Sequence, residues 1–387
     1  MPPDPFGTAA LRRAVLDAWS ASPARLREDA NAEEDLVRGG YRDRWFVELA
    51  QNAADAGIRA GAPTTLSVRT DGTELVVGNT GAPLDAAGVA SLASLRASAK
   101  RGPDEAVVGR FGVGFAAVLD LGDAPRVVTR IADGVVGVAF DRSRTYDEVL
   151  ALGGAVADEA RRRGPDGVPA LRLVWPAEDT DLPDDVTTAV RVPLAKPADE
   201  LLDQVRAEAR DLLLALPGLG AVEVEGRGRL ERHDDGGGRV TVGGVVWTTL
   251  RCGGELPPEL RHDEAGRDAL AVEDRGRTRW EGLWAWTPGA DPHDVLYAPT
   301  PTAEGTTLPA RLVVTVPLDA DRRRVRPGRL TTHVLRAAAA HLPELVAALA
   351  PADRTRFVPG HGLPASEVDA VLQEAATDAL RRAAWLP

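Results

Sequence analysis

A chain of 387 residues is longer than one ordinary core, so length alone predicts two domains, with a third segment as the upper case. The composition, 44% hydrophobic and 27% charged, is that of a globular protein. No apolar run reaches the ~18 residues that a membrane-spanning helix needs. The formal charge of −12 argues against a general nucleic-acid binder, which needs cations to displace counterions, and the single Cys252 excludes an internal disulfide and a cysteine-based zinc site.

Taken in chain order, Thr8–Ser20 reads as a helix with Leu11, Val15 and Ala18 on one stripe, broken by Pro23. A second helix is expected over Ala24–Arg38, stopped by Gly39-Gly40, and a third over Arg42–Ala56, stopped by Gly57. Period-2 alternation predicts strands at Thr65–Thr70 and Glu74–Val77 around an Asp71-Gly72 turn. A helical piece, Asp85–Leu95, then precedes a polar stretch over Arg96–Glu105. Val107–Leu121 is glycine-rich at its start and helical at its end, and further strands fit Arg126–Thr129, Gly134–Phe140, Ala170–Trp175 and Ala189–Pro193. Helices mixed with hairpin-linked strands predict an α+β fold.

A boundary is expected near Leu194-Ala195-Lys196-Pro197. It divides the chain into a first domain over 1–197, a smaller second α/β domain over 198–345 and a C-terminal helical segment over 346–387. The second part opens on an amphipathic helix, Asp199–Leu216. It continues with a hairpin whose loop is Asp234–Gly238, a Pro/Trp-rich region, a strand over Ala310–Val316 and helices over Thr331–Leu349 and Ser366–Ala384. No internal repeat stands out. Met1–Trp19 lacks the basic start and apolar core of a secretory signal, and every basic residue except Lys100 and Lys196 is arginine, as in proteins of GC-rich bacteria; a cytoplasmic bacterial protein is the expectation.

Three segments carry candidate chemistry. Glu48, Asn52 and Asp55 stand at i, i+4 and i+7, which puts a carboxylate, an amide and a second carboxylate on one helical stripe, beside an apolar stripe of Trp45, Leu49, Ala53 and Ala56. Such a stripe can hold a water on one side and a hydrated Mg²⁺ on the other; it can equally be a solvated face. Gly109-Arg110-Phe111-Gly112-Val113-Gly114-Phe115 places three glycines ahead of a helical run. Glycines let backbone N–H groups approach an anion, and a helix N-terminus adds its dipole; alone, this is also what a flexible turn looks like. Third, the strand Leu75–Val77 runs through Gly78 into Asn79-Thr80-Gly81-Ala82-Pro83, which by itself is an ordinary strand exit.

In this order, over about residues 45–195, the three segments resemble the GHKL ATPase superfamily: the ATP-binding half of DNA gyrase, the MutL mismatch-repair proteins, the sensor histidine kinases and the ninety-kilodalton heat-shock chaperones. The likeness is strongest to the chaperone branch and to sacsin-type N-terminal ATP-binding modules. Glu48–Ala56 resembles the family's N box, Asn79-Thr80-Gly81 its first glycine box, Gly109–Phe115 its second, and Thr188–Val192 its final threonine-plus-strand motif. Ser98 and Lys100 lie in the segment that resembles its lid. Tyr297–Thr302 and Leu318–Arg323 carry a looser likeness to sacsin-type proteins. The resemblance implies a Bergerat-type two-layer sandwich: a mixed, largely antiparallel sheet with helices on one face.

The roles that the resemblance implies are specific. Glu48 is the general base toward the water that attacks the γ-phosphate. Asn52 is the Mg²⁺ ligand, and Asp55 supports the pocket near sugar and base. Asn79 contacts the base, and Gly81 and Thr188 belong with it among the cofactor-binding residues. Backbone amides over Gly109, Phe111, Gly112, Val113, Gly114 and Phe115 wrap the phosphates. Lys100 either reaches a phosphate or is solvated. Of the basic run Arg322, Arg323, Arg324 and Arg326, one arginine, with Arg323 the candidate, either senses the γ-phosphate or belongs to a solvated face.

The implied activity is Mg²⁺-dependent ATP binding and slow hydrolysis that drives lid closure and domain rearrangement, with a client or partner protein and room for a homodimer. Two departures bear on it. Asn79 stands where the family has Asp to accept from the adenine 6-amino group, and Pro83 replaces a second glycine. They favour the alternative, a nucleotide-gated interaction module with little or no turnover. The six histidines have no metal-ligand spacing, and none lies in a helix ahead of the ATPase segment, so the phospho-acceptor of a sensor kinase is missing; the negative charge argues against a mismatch-repair-like DNA role.

Overall fold

The computed structural model describes residues 4–94, 114–194, 197–261, 278–289, 294–319, 322–358 and 362–385. The chain is a mixed α and β fold, in line with the α+β expectation, and divides into two units: 1–209 with 217–230, and 210–216 with 231–387. Among the described residues no helix is long and apolar enough to cross a membrane.

The first unit opens with α1 (Thr8–Ala21) and α2 (Pro23–Asp35), the second started by Pro23, whose fixed φ suits the first helical turn. After a wider-wound turn over Leu36–Gly40 comes α3 (Trp45–Ala60). Contrary to the expected stop at Gly57, this helix runs on and ends at Gly61, whose left-handed φ of 72° caps it. Gly57 lies inside the helix for a packing reason: a Cβ there would come within 2.5 Å of the Gly218 carbonyl oxygen.

Strands β1 (Thr64–Asp71) and β2 (Glu74–Asn79) form the predicted hairpin, with Gly72 at φ 60° in its turn. Then follow α4 (Ala86–Leu92), a 3₁₀ turn over Gly114–Asp120, β3 (Arg126–Ile131), β4 (Gly134–Ala139), α5 (Arg142–Leu152) and α6 (Gly154–Arg163). Last come β5 (Trp175–Pro176), β6 (Thr188–Pro193), α7 (Ala198–Ala215), which is shared with the second unit, and β7 (Leu219–Val224). The strand order is β7-β1-β2-β6-β3-β4-β5; among the described residues β1 and β7 pair parallel and the other neighbours antiparallel.

Helix α3 packs on β1 and β7. The sheet's other face is covered by the loop before β6: Leu182 and Val186 join Val76, Val128 and Ala189 in one cluster, and a Cβ at Gly78 would strike Val186 Cγ1 at 2.8 Å. On that same face, toward the far end of β2 and β6, Arg191 and Arg126 converge on Glu74 in a bonded network that adds Asp71, Asp179 and Asp181.

The expected strand over Ala170–Trp175 is mostly absent. Ala170 and Leu171 give their N–H groups not to a neighbouring strand but to the two carboxylate oxygens of buried Glu33, at 2.7 and 2.9 Å. A side chain has taken the place of a ladder partner. Behind it, Trp19, Leu26, Val149, Val156, Ala160, Leu173 and Trp175 form a small core between the first helices and α5–α6.

The second unit carries β8 (Gly228–Gly236, continued from the first), β9 (Arg239–Val242), β10 (Val245–Glu255), the short α8 (Pro258–Arg261), β11 (Arg279–Trp286), β12 (Asp294–Tyr297), β13 (Pro301–Thr306) and β14 (Arg311–Val314). Its strand order is β13-β12-β14-β11-β10-β9-β8. The expected single helix over Thr331–Leu349 is two, α9 (Arg329–Ala340) and α10 (Leu342–Ala347), because Pro343 lacks an N–H and starts a new helix. The four-residue α11 (Pro351–Arg354) precedes α12 (Glu367–Arg382), which pairs with α9.

Trp280, Trp284, Trp286, Leu312 and Val314 meet Leu335, Ala338, Leu342 and Leu372 in the main core of this unit, and the Trp284 indole donates to the Ala338 carbonyl at 2.8 Å. Arg311 is half-buried with its guanidinium over the Tyr297 ring, 4.6 Å from the centroid, and pairs with Asp211 and Asp294. Asp369 ties the start of α12 to the end of β13 by accepting from Thr307 N, Thr307 Oγ1 and Ala365 N.

Candidate functional site

Of the predicted residues of the first unit, those described lie on α3, at the exit of β2, on β6 and at Gly114–Phe115. Glu48 and Asp55 are buried in α3, and Asn52, one turn from Glu48, is exposed. Their shared stripe is therefore split: the carboxylates turn in and the amide turns out.

The strand exit is fixed from two sides. Thr80 N–H donates to Thr64 Oγ1, and Thr65 N–H to Thr80 Oγ1, both at 3.0 Å. Ala82 N–H donates to the Ala56 carbonyl in α3 at 2.9 Å. Gly81 then lies directly on the helix: a Cβ there would come 2.6 Å from the Ala56 Cβ and 2.8 Å from Gly57 N. Gly114, the last glycine of the second segment, meets the same helix about two turns earlier. A Cβ at Gly114 would overlap Glu48 Oε2 and lie 3.0 Å from its Cδ, so a larger residue there would require the carboxylate to shift. Gly81→Ala is expected to lower stability by roughly 1–3 kcal/mol, through overlap with helix backbone that cannot give way. A fall in the urea midpoint at unchanged slope checks this, and an unchanged midpoint would show that the turn and α3 are not in tight contact.

Beside the strand exit a row of residues crosses the sheet. Leu66, Asn79, Thr188 and Thr129 are direct cross-strand neighbours on β1, β2, β6 and β3. Alternation puts them on the face opposite Gly78, the face that carries α3. Thr188 Oγ1 and Thr129 Oγ1 are 2.8 Å apart, and Thr129 Oγ1 also accepts from Leu84 N–H at 3.1 Å. Asn79 accepts the Gly81 N–H on Oδ1 at 3.0 Å. This donor identifies the oxygen of the amide and leaves Nδ2 as its other end.

Two residues missed in the sequence belong here. Arg44 is buried one turn ahead of Glu48, with Nε 3.7 Å from Oε1; the i, i+4 spacing of opposite charges was the available signal. Thr129 carries the hydroxyl that Thr188 meets, and only the strand register reveals it.

Other predicted residues fare differently. Phe115 is buried, its ring 5.8 Å from that of Phe140, and serves the core. Ser98, Lys100, Gly109, Phe111, Gly112 and Val113 lie outside the described residues. Arg323 belongs to the second unit, where its carbonyl accepts from Ala303 N–H beside the Leu318–Val325 bridge; Arg326 pairs with Asp319 at 3.3 Å, and Arg322 is buried at a left-handed φ of 53°. Among the described residues no group of three or more His, Cys, Asp or Glu could hold a metal ion. Compared with protein-family models and with curated proteins, the chain matches none.

Proposed function

We propose that the first unit binds ATP with Mg²⁺ and hydrolyses it slowly, as a GHKL-type ATPase on a Bergerat-type sandwich. The observation that carries this reading is the convergence on one helix. The segments that resemble the N box, the first glycine box and the tail of the second are far apart in sequence, yet Gly81 and Gly114 both press on α3, at Ala56 and at Glu48. The largely antiparallel order of the first sheet agrees with it.

In this reading Glu48 orients the attacking water and takes its proton as the water oxygen bonds to the γ-phosphorus and the bond to the β-phosphate oxygen breaks. Arg44 holds the carboxylate in place. In phosphoryl transfer most of the catalysis is positioning and charge neutralisation, so a base working through one water suffices. Asn52 fits a Mg²⁺ role: its exposed amide offers one hard oxygen and, with no acidic cluster among the described residues, the remaining oxygens would come from phosphates and water. When bound, the ion neutralises phosphate charge. Asp55, Asn79 and Thr188 hold the base and sugar end. The chaperone-like cycle, with nucleotide-driven domain rearrangement and a client protein, rests on the resemblance alone.

A second reading, a nucleotide-gated interaction module with little turnover, is favoured by Asn79, because a neutral amide replaces the charge-assisted acceptor at the base. Both readings require nucleotide binding. Titration of the chain with ATP and Mg²⁺ in a calorimeter is expected to give saturable binding that weakens when Mg²⁺ is chelated; no detectable binding at millimolar ATP sinks both.

A further inference from the structure

The structure assigns Asn79 a donor's role toward the base, and from this we infer that the site accepts a 6-oxopurine nucleoside triphosphate at least as well as ATP. The inference rests on the nucleotide reading above and deepens it. Three observations carry it. Asn79 stands on the α3 face of the sheet, in the row with Thr188 and Thr129. Its Oδ1 is held by the Gly81 N–H at 3.0 Å, inside the exit turn that also docks on α3. Rotating the amide by half a turn would bring Nδ2 against that N–H, two donors face to face, so the orientation is locked by the backbone.

Among the described residues Nδ2 has no hydrogen-bond partner. The Thr188 hydroxyl beside it is adaptable, since either oxygen of the Thr129–Thr188 contact can be the donor. Asn79 is the fixed member of the pair and sets the preference. Nδ2–H presented to the exocyclic position of a purine finds an acceptor in the 6-oxo group of hypoxanthine or guanine. Against the 6-amino group of adenine it meets another donor, and one polar group is left unpaired at the base.

The test compares ATP with ITP, which differ on this edge and share every phosphate contact. Dissociation constants are measured by calorimetry for the full chain and for Asn79→Asp, with Mg²⁺ present. Aspartate keeps an acceptor for the Gly81 N–H, so the turn survives, and it turns an acceptor toward the base. Wild type is expected to bind ITP at least as tightly as ATP, and Asn79→Asp to move the ITP-to-ATP preference about tenfold toward ATP, the size of one hydrogen-bond mismatch. Wild type that binds ATP tenfold or more above ITP overturns the inference and leaves the nucleotide reading standing. A variant with an unmoved ratio also overturns it. Wild type that binds neither nucleotide overturns both. The wild-type ratio decides the matter even where the variant fails to fold.

Discussion

Glu48→Ala is expected to lower steady-state phosphate release from ATP by roughly 10²–10⁴-fold, the usual worth of a positioned general base, while ATP still binds. The carboxylate is buried in α3, ion-paired with Arg44 at 3.7 Å on one side and faced by the Gly114 backbone on the other. Removing it leaves the exposed Asn52 amide and the Asn79–Thr188 row in place, so binding persists. Glu48→Gln is the companion variant: it keeps the shape, cannot take a proton, and should be as inactive as Glu48→Ala. Equal release by wild type and both variants removes Glu48 as the base. Release below detection in wild type, with ATP bound, leaves the nucleotide-gated module as the surviving reading.

The second large effect is structural. Glu33→Ala is expected to destabilise the first unit by roughly 3–5 kcal/mol, the cost of removing one partner from a buried charged cluster. Glu33 receives Ala170 N–H, Leu171 N–H and, at 3.3 Å, the Arg142 guanidinium. Burial pushes its carboxyl above the ordinary value, while Arg142 and the two N–H groups pull the other way. Truncation strands two backbone donors in the interior, with only a methyl to face them. Equilibrium unfolding in urea reads the loss; a change below about 1 kcal/mol would show that the loop finds other acceptors and would demote Glu33 to an ordinary buried acid.

Glu48 and Glu33 mark the two sides of what the sequence makes legible. The Glu48-Asn52-Asp55 spacing points to a helix, and α3 carries all three residues, but it buries the two carboxylates and exposes the amide. The Asp71-Gly72 hairpin is legible because a left-handed turn demands glycine. Ala170–Trp175 misleads because an apolar run describes burial, not pairing; its partner is a carboxylate 137 residues away. The β10–β13 strands hide in a region of tryptophan, proline and glycine, where no alternation is visible and tertiary packing decides. At the site, Gly81 is legible by its place in a motif, but its reason, contact with Ala56, requires the fold. Thr129 carries no local signal at all.

Three glycines around α3 share one constraint. Gly57 faces the Gly218 carbonyl, Gly81 faces Ala56, and Gly218 faces the Ala54 backbone and Ile58. Each holds a neighbouring segment at a separation set largely by backbone atoms, so enlarging any one of them displaces the segment it faces. For descent with modification this makes each of the three positions slow to change: an accepted change there must follow a displaced chain. The sheet faces beyond can trade one aliphatic for another, one at a time. Divergence in this molecule is therefore expected to run fast in the strands and slow along a single helix flank.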